Sequence, residues 1–295
     1  MIGDFLRKHG DYREDKSFKD LTTIKMGGKI LHYVEPYNID DLKAIITYIR
    51  ENHIDYKILG NGSNLIVGSN DYNGVVISLK HFDNYEITNT EVYVEAGILA
   101  PYFAQVLASA GLSGFEFASG IPGTIGGLIY MNAGAYKKEI GDIIKEVNVL
   151  RDNEIVTLKK EDLKLAYRYS IFKEHPHWTV ISCVLKLENK DSKEIKALMQ
   201  ERLERRQSTQ PLDKPSAGSC FRNPDGVYAW KLIDELGYRG YKLNDVEVSN
   251  KHSNFIINNG CGKAEDYLSI VYDIQDKVAK EYNIKLIMEV EKFNC

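Results

Sequence analysis

A chain of 295 residues with 43% hydrophobic and 27% charged side chains has the balance of an ordinary globular protein and room for two or three domains. Its net charge of -4 argues against a nucleic-acid binder, so an anionic ligand must be held locally, by backbone amides and a few placed cations. No apolar stretch is long enough to span a bilayer, and the opening MIGDFLRKHGDYREDK lacks the apolar core of a signal peptide, so a cytoplasmic protein without membrane contact is expected.

Ile39, Leu42, Ile45, Ile46 and Ile49 recur at helical spacing and predict an amphipathic helix over 39–52. A short strand at 57–59 then runs into Gly60-Asn61-Gly62-Ser63-Asn64, and β-rich runs follow at 74–79 and 91–96. Residues 101–110 predict a helix with Pro101 in its first turn and Gly111 just past its end. A glycine-rich loop is expected over 119–135, and a hairpin over 146–151 and 154–158 around Asp152-Asn153. A strand at 179–187 closes this half, and the polar stretch from Glu188 to Lys193 is the expected boundary. Beyond it Ile195, Leu198, Met199 and Leu203 predict another helix. The rest mixes loops, helices near 227–236 and 264–282, and a final strand at 284–293. The expected class is α+β, with a larger N-terminal part and a smaller C-terminal one. Cys183, Cys220, Cys261 and Cys295 are widely spaced and form no CxxC pair, which suits reduced thiols better than disulfides or a zinc site. His175-Pro176-His177 reads as a surface turn, and no metal is expected.

Two segments are built to let backbone approach a ligand. One is Gly60, Asn61, Gly62, Ser63 and Asn64. The other runs Ser119-Gly120-Ile121-Pro122-Gly123-Thr124-Ile125-Gly126-Gly127 and continues to Met131-Asn132-Ala133-Gly134-Ala135-Tyr136. Glycine brings main-chain N–H groups close to phosphate oxygens. Neither segment is a Rossmann fingerprint, because Leu65 stands where a third glycine is required, and neither contains Gly-Lys-Ser/Thr. A site that cleaves phosphate needs a cation on the reacting group. Backbone amides without lysine suit a diphosphate that is gripped and does not react, as in a dinucleotide cofactor. Either loop alone is matched equally well by an ordinary tight turn.

Together the loops resemble the FAD-binding domain of vanillyl-alcohol-oxidase-like (PCMH-type) flavoproteins. More closely, the chain resembles the UDP-N-acetylenolpyruvoylglucosamine reductase (UDP-N-acetylmuramate dehydrogenase) family. The resemblance rests on TTIKMGG from Thr22, GNGSNL, SGIPGTIGG with MNAGAY, YRYS at 167–170, PSAGSCFRNP at 215–224, VSNKHSNFIIN at 248–258 and MEV at 288–290, all in the family's order. It implies an FAD-binding domain at 1–190, in two subdomains of about 1–82 and 83–190, and an α+β substrate-binding domain at 191–295. It also implies noncovalent FAD, held by Gly60–Asn64, Ser119–Thr124, Gly126, Gly127, Asn132 and Ala133. NADPH would reduce the flavin, which would then reduce UDP-N-acetylenolpyruvoylglucosamine to UDP-N-acetylmuramate for peptidoglycan synthesis. By the same resemblance Arg168 holds the substrate carboxylate, for which a planar, permanently charged guanidinium fork is suited. Glu289 helps polarise the enol ether, and Ser219 donates the proton at C2. Tyr167, Asn223 and Arg206 contact substrate.

Residue by residue, plainer readings stand beside these. Arg168 in a strand-like segment reads as a surface ion pair, and alternation over Leu286-Ile287-Met288-Glu289-Val290 reads Glu289 as a solvated strand glutamate. Arg206 reads as part of a solvated helix end, His252 as structural and Cys220 as a packing residue. Thr209, Trp230 and Asn244-Asp245 depart from the family's pattern and leave diphosphate contacts and local packing open. The span from Ser170 to Ser219 resembles the compact form of the family, which lacks an inserted tyrosine loop. The competing functions are a carbohydrate oxidase of the same flavin superfamily and a catalytically silent flavin- or UDP-sugar-binding protein. The C-terminal segments resemble the reductase, and the joint presence of Arg168, Ser219 and Glu289 argues for turnover.

Overall fold

The computed structural model describes residues 2–295. The described chain forms two compact units that interleave in sequence: residues 2–13, 32–61 and 74–204 make the first, and 14–31, 62–73 and 205–295 the second. The expected contiguous domains follow chain order, whereas these units follow packing. In the second unit, Phe18 packs edge-on against Phe293 at 5.6 Å, Asn258 Nδ2 donates to Ile24 O at 3.0 Å, and the strand Leu65–Val67 pairs in parallel with Glu291–Phe293. Early residues are thereby drawn to the C-terminal part.

The first unit is built on two sheets. The four-stranded sheet has the order Gly10–Arg13, Ile30–Pro36, Tyr72–Ser78, Tyr56–Leu59. The helix Ile39–Glu51 precedes its last-placed strand; Asn38 caps it by accepting from Asp40 N and Asp41 N, and it buries Leu42, Ile45, Ile46 and Ile49. That is the stripe that the 3.6-residue period predicts. The five-stranded antiparallel sheet has the order Glu154–Lys159, Ile144–Arg151, Thr179–Lys186, Glu91–Glu95, Tyr85–Thr88. Its first hairpin turns at Asp152 and Asn153, both left-handed at φ 49 and 69, as a two-residue turn of this hand requires. The helix Ala100–Ser109 carries the expected proline in its first turn.

The expected loop over 119–135 is instead interrupted by the helix Ile125–Met131. Gly126 and Gly127 disguise it, because glycine is a poor helix former. Packing overrides that preference: Ile125, Leu128 and Ile129 are buried, and a Cβ on Gly126 would lie 3.1 Å from Ala96 Cβ.

The second unit holds a four-stranded sheet in the order Ser216–Ser219, Phe255–Asn258, Val246–Val248, Lys242–Leu243. The helices Ala229–Glu235 and Ala264–Tyr282 share one core with it through Leu232, Ile233, Tyr267, Ile270, Ile274, Val248 and Ile256. The strand expected over 284–293 is regular only at Glu291–Phe293. Before that the chain changes partners, meeting Phe221 through Met288 and turning to Leu65–Val67 only at Glu291, so no single ladder covers it. Among the described residues no helix is long and apolar enough to cross a membrane.

Candidate functional site

Inside the first unit Gly60 and Asn61, the start of one glycine-rich segment, meet the other segment. Asn61 Nδ2 donates to Pro122 O at 2.7 Å, and a Cβ on Gly60 would lie 2.8 Å from Thr124 Oγ1. Thr124 caps the helix Ile125–Met131 by accepting from Gly127 N at 3.3 Å. The segment is pinned from behind by Ala100 N to Gly123 O and Gly126 N to Ala96 O, both 2.9 Å. Ser119 turns its hydroxyl back to Glu116 O at 2.9 Å. Gly60, Asn61 and Pro122 to Thr124 therefore form one backbone-walled surface, and a side chain at 60 would fill it. Such a cradle fits a group gripped through main chain, as the resemblance to an FAD site requires.

The expected strand around Arg168 is a tight turn. Ala166 and Tyr169 exchange both backbone hydrogen bonds, at 3.1 and 2.9 Å, so Tyr167 and Arg168 are its two central residues. Arg168 is left-handed at φ 57, which costs a non-glycine residue on the order of 1 kcal/mol. Its guanidinium lies 4.9 Å from the centre of the exposed Tyr167 ring, and Nη2 donates to Gly134 O at 2.9 Å. Asn132 is fully buried, and Ala133 O accepts from Ile140 N at 3.0 Å.

In the second unit Ser219, Glu289, Ser63 and Asn64 come together. Glu289 N donates to Cys220 O at 2.8 Å, and Arg222 N to Ile287 O at 2.9 Å, so the serine and glutamate segments run side by side. Asn64 fastens to the same strand twice, through Nδ2 to Glu289 O at 3.1 Å and by accepting Glu291 N at 3.0 Å. Gly218, at φ 79 before Ser219, faces Ser63 O, which a Cβ there would meet at 4.0 Å. The Ser216/Ser219 pairing with Ile257 and Phe255 is irregular, and such a bulge re-aims the side chain that follows it. Both Ser219 and Glu289 are half-buried. Burial pushes the Cys220 thiol up to about 12, so it stays protonated, and at 1% exposure it is part of the core.

Gly62 is the glycine of this group that geometry demands. It is left-handed at φ 58, and a Cβ would lie 2.1 Å from Leu21 O, while its own carbonyl accepts from Thr23 N at 3.2 Å. Gly62→Ala is expected to destabilise the protein by roughly 2–4 kcal/mol, from left-handed strain plus overpacking. A thermal melt should show a fall of several degrees; an unchanged melt would show that the loop relaxes freely.

Arg206 lies half-buried near the end of the helix Ser192–Thr209, where Thr209 spends its hydroxyl on Arg205 O at 2.7 Å. Asn223 Oδ1 accepts from Ala229 N at 3.0 Å, so the side-chain oxygen is committed at the start of the helix Ala229–Glu235. His252 Nδ1 accepts from Asn254 N at 3.3 Å, and burial holds the imidazole below its ordinary pKa, which fits a structural role. The Trp230 ring meets His252 edge-on at 6.4 Å, and Asn244 donates to Asp266 at 2.9 Å.

Reading by motif passed over Asn254, which clasps Phe221 from both sides: Oδ1 accepts Phe221 N at 2.9 Å and Nδ2 donates to Phe221 O at 2.8 Å. It also passed over Gln210 Oε1 and Arg222 Nε, buried polar atoms without a hydrogen-bond partner among the described residues. No sequence signal marks a side-chain atom as unpaired.

Residues 30–159 match the family model described as an FAD binding domain, and residues 210–293 match that of the C-terminal domain of UDP-N-acetylenolpyruvoylglucosamine reductase. A reductase of that name from Caldanaerobacter subterraneus subsp. tengcongensis is 41% identical over 96% of this chain and 94% of its own. One from Carboxydothermus hydrogenoformans is 40% identical over 94% and 92%. The crystal structure of UDP-N-acetylenolpyruvylglucosamine reductase from Thermus caldophilus is 35% identical, with a TM-score of 0.80 over 96% of this chain and 98% of that one. A solvent-stable cholesterol oxidase, 15% identical, has a TM-score of 0.50 over 63% of this chain and 39% of its own, which speaks for the fold alone.

Proposed function

The chain belongs to the UDP-N-acetylenolpyruvoylglucosamine reductase family, and from that premise we propose that it reduces UDP-N-acetylenolpyruvoylglucosamine to UDP-N-acetylmuramate for peptidoglycan precursor synthesis, with noncovalent FAD as cofactor and NADPH as reductant. The observation that carries the reading is the joining of the Ser219 and Glu289 segments by the Glu289 N to Cys220 O bond, with Asn64 fastened to the same strand. An enol-ether reductase needs a proton donor and a polarising group held in fixed register, and rigid backbone pairing supplies that.

Bound FAD supplies hydride equivalents, taken from NADPH and delivered to the methylene carbon of the enol ether. The residues of the chain have the other tasks. Gly60, Asn61 and Pro122 to Thr124 grip the cofactor through main chain, with Ser119, Gly120, Gly126 and Gly127 shaping the same segment. Arg168 pairs with the substrate carboxylate and steadies the negative charge that spreads onto it when hydride adds at C3. Glu289 polarises the enol ether. Ser219 gives its proton to C2, which a hydroxyl can do because the acceptor carbon is strongly basic. Tyr167, Arg206 and Asn223 contribute to sugar-nucleotide binding. A cytoplasmic location belongs to the same proposal, since a nucleotide-linked sugar and NADPH are the reactants.

Acid precipitation is the direct test. The purified protein is expected to be yellow and to release its flavin into the supernatant. Flavin retained in the pellet would overturn the noncovalent assignment and favour a carbohydrate oxidase, and a colourless protein that takes up no FAD would remove the proposal altogether.

A further inference from the structure

Residues 130–134 and 166–170 of the first unit are stitched together by three hydrogen bonds. Ser170 Oγ donates to Tyr130 O at 2.6 Å, Asn132 Nδ2 to Ala166 O at 2.9 Å, and Arg168 Nη2 to Gly134 O at 2.9 Å. Asn132 is the middle stitch and the most committed. Its second amide hydrogen goes to Glu139 Oε1 at 2.7 Å, and its Oδ1 accepts from Gly141 N at 3.0 Å. Residue 141 must be small, because a Cβ there would lie 2.8 Å from Asn132 Oδ1. Asn132 is 0% exposed and closes the helix Ile125–Met131 in the left-handed conformation at φ 42, which asparagine tolerates better than most residues.

An amide with both donors spent inside the protein and no exposed surface has nothing left for a ligand. What it does hold is Ala166 O, the carbonyl that opens the Tyr167-Arg168 turn and also accepts Tyr169 N. We propose that Asn132 is a positioning residue for Arg168, acting through Ala166 rather than on the cofactor. The inference rests on the reading of Arg168 as the carboxylate-binding group. A turn that keeps a non-glycine residue at φ 57 stores strain, and such strain persists only where surrounding bonds over-determine it. Removing the bond to Ala166 O releases the turn at its root and lets the guanidinium drift from Gly134.

The test compares three holoenzyme variants, and Arg168→Lys combined with each Asn132 variant, with the wild type. The three are Asn132→Ala, Arg168→Lys and the double change Asn132→Asp with Glu139→Gln. The double change inverts the carboxylate–amide pair, so it keeps the links to residue 139 and Gly141 N but has no donor for Ala166 O. Flavin retained after ultrafiltration, the rate of flavin reduction by NADPH and the rate of reoxidation by the enolpyruvyl sugar are read for each. Both Asn132 variants are expected to retain flavin and reduce normally, while reoxidation slows about 10-fold to 100-fold, the scale of a misplaced group. Adding Arg168→Lys should cost little more, because residues that act as one unit are not additive. Wild-type reoxidation in the double change would overturn the proposal, as would flavin loss or an equal fall of both half-reactions. If Arg168→Lys alone leaves reoxidation unchanged, the Arg168 reading fails and the inference falls with it. If Arg168→Lys is slow and the Asn132 variants are not, only the positioning role fails.

Discussion

Ser219→Ala is expected to keep its flavin spectrum and its rate of reduction by NADPH, while reoxidation by the enolpyruvyl sugar falls about 10²–10⁴-fold, the usual scale for losing a positioned acid or base. The selectivity follows from the chemistry, since only the sugar-dependent half-reaction moves a proton to carbon. It also follows from the local structure. The left-handed Gly218 lies directly before Ser219, inside the register shift between Ser216 and Ser219, so deleting the hydroxyl leaves this backbone device untouched. Ser219 Oγ makes no side-chain hydrogen bond among the described residues. Alanine therefore orphans no partner, and the structural cost is small. Ser219→Cys should recover part of the rate, because a thiol also donates a proton. Cys220→Ala is the control for the neighbouring donor. Its thiol is 1% exposed and its pKa is raised by burial, so this variant should lose stability and keep its chemistry. Fast Ser219→Ala with slow Cys220→Ala would mean the wrong neighbour had been chosen.

The elements that were legible in the sequence are those whose cause is local. The stripe of Ile39, Leu42, Ile45, Ile46 and Ile49 needed only a period, and Asp152-Asn153 needed only a turn with two left-handed positions. The helix Ile125–Met131 was hidden because its stability comes from elsewhere: Gly126 is selected by the approach of Ala96, and a residue chosen for closeness looks like a loop residue. The Arg168 turn was misread as strand because Tyr-Arg-Tyr-Ser carries β-type residues, and nothing local announces φ 57 at an arginine. Bonds that tie the turn to Tyr130, Asn132 and Gly134 enforce it, each spanning 34 to 40 positions. Glu289 shows the same limit. Alternation over 286–290 read it as a solvated strand glutamate, whereas it is half-buried outside any regular strand, and its register against Cys220 and Asn64 depends on pairings 69 and 225 residues long. Local pattern supplied the candidates, and long-range backbone pairing decides which of them share a surface.

The second large effect belongs to Arg168→Lys, which keeps the charge and removes the planar fork. Lysine is a compact, flexible point charge and cannot both donate to Gly134 O and present two parallel N–H groups to a carboxylate. It also alters the cation–π contact with Tyr167, where the guanidinium carbon lies 4.9 Å from the ring centre. In the arginine the bond from Nη2 to Gly134 O fixes the plane of the guanidinium before substrate arrives. Sugar-dependent reoxidation is therefore expected to slow about 10²-fold or more, the loss found when one preorganised charge-stabilising donor is removed. NADPH should still reduce the flavin within about twofold, because neither the backbone cradle at Gly60 and Pro122–Thr124 nor the nicotinamide needs the fork. A rise in apparent KM for the sugar together with a fall in kcat would place the interaction in both ground and transition states; a fall in kcat alone would place it at the developing charge. Equal damage to both half-reactions would show that Arg168 holds the fold through Gly134 and does not act on substrate.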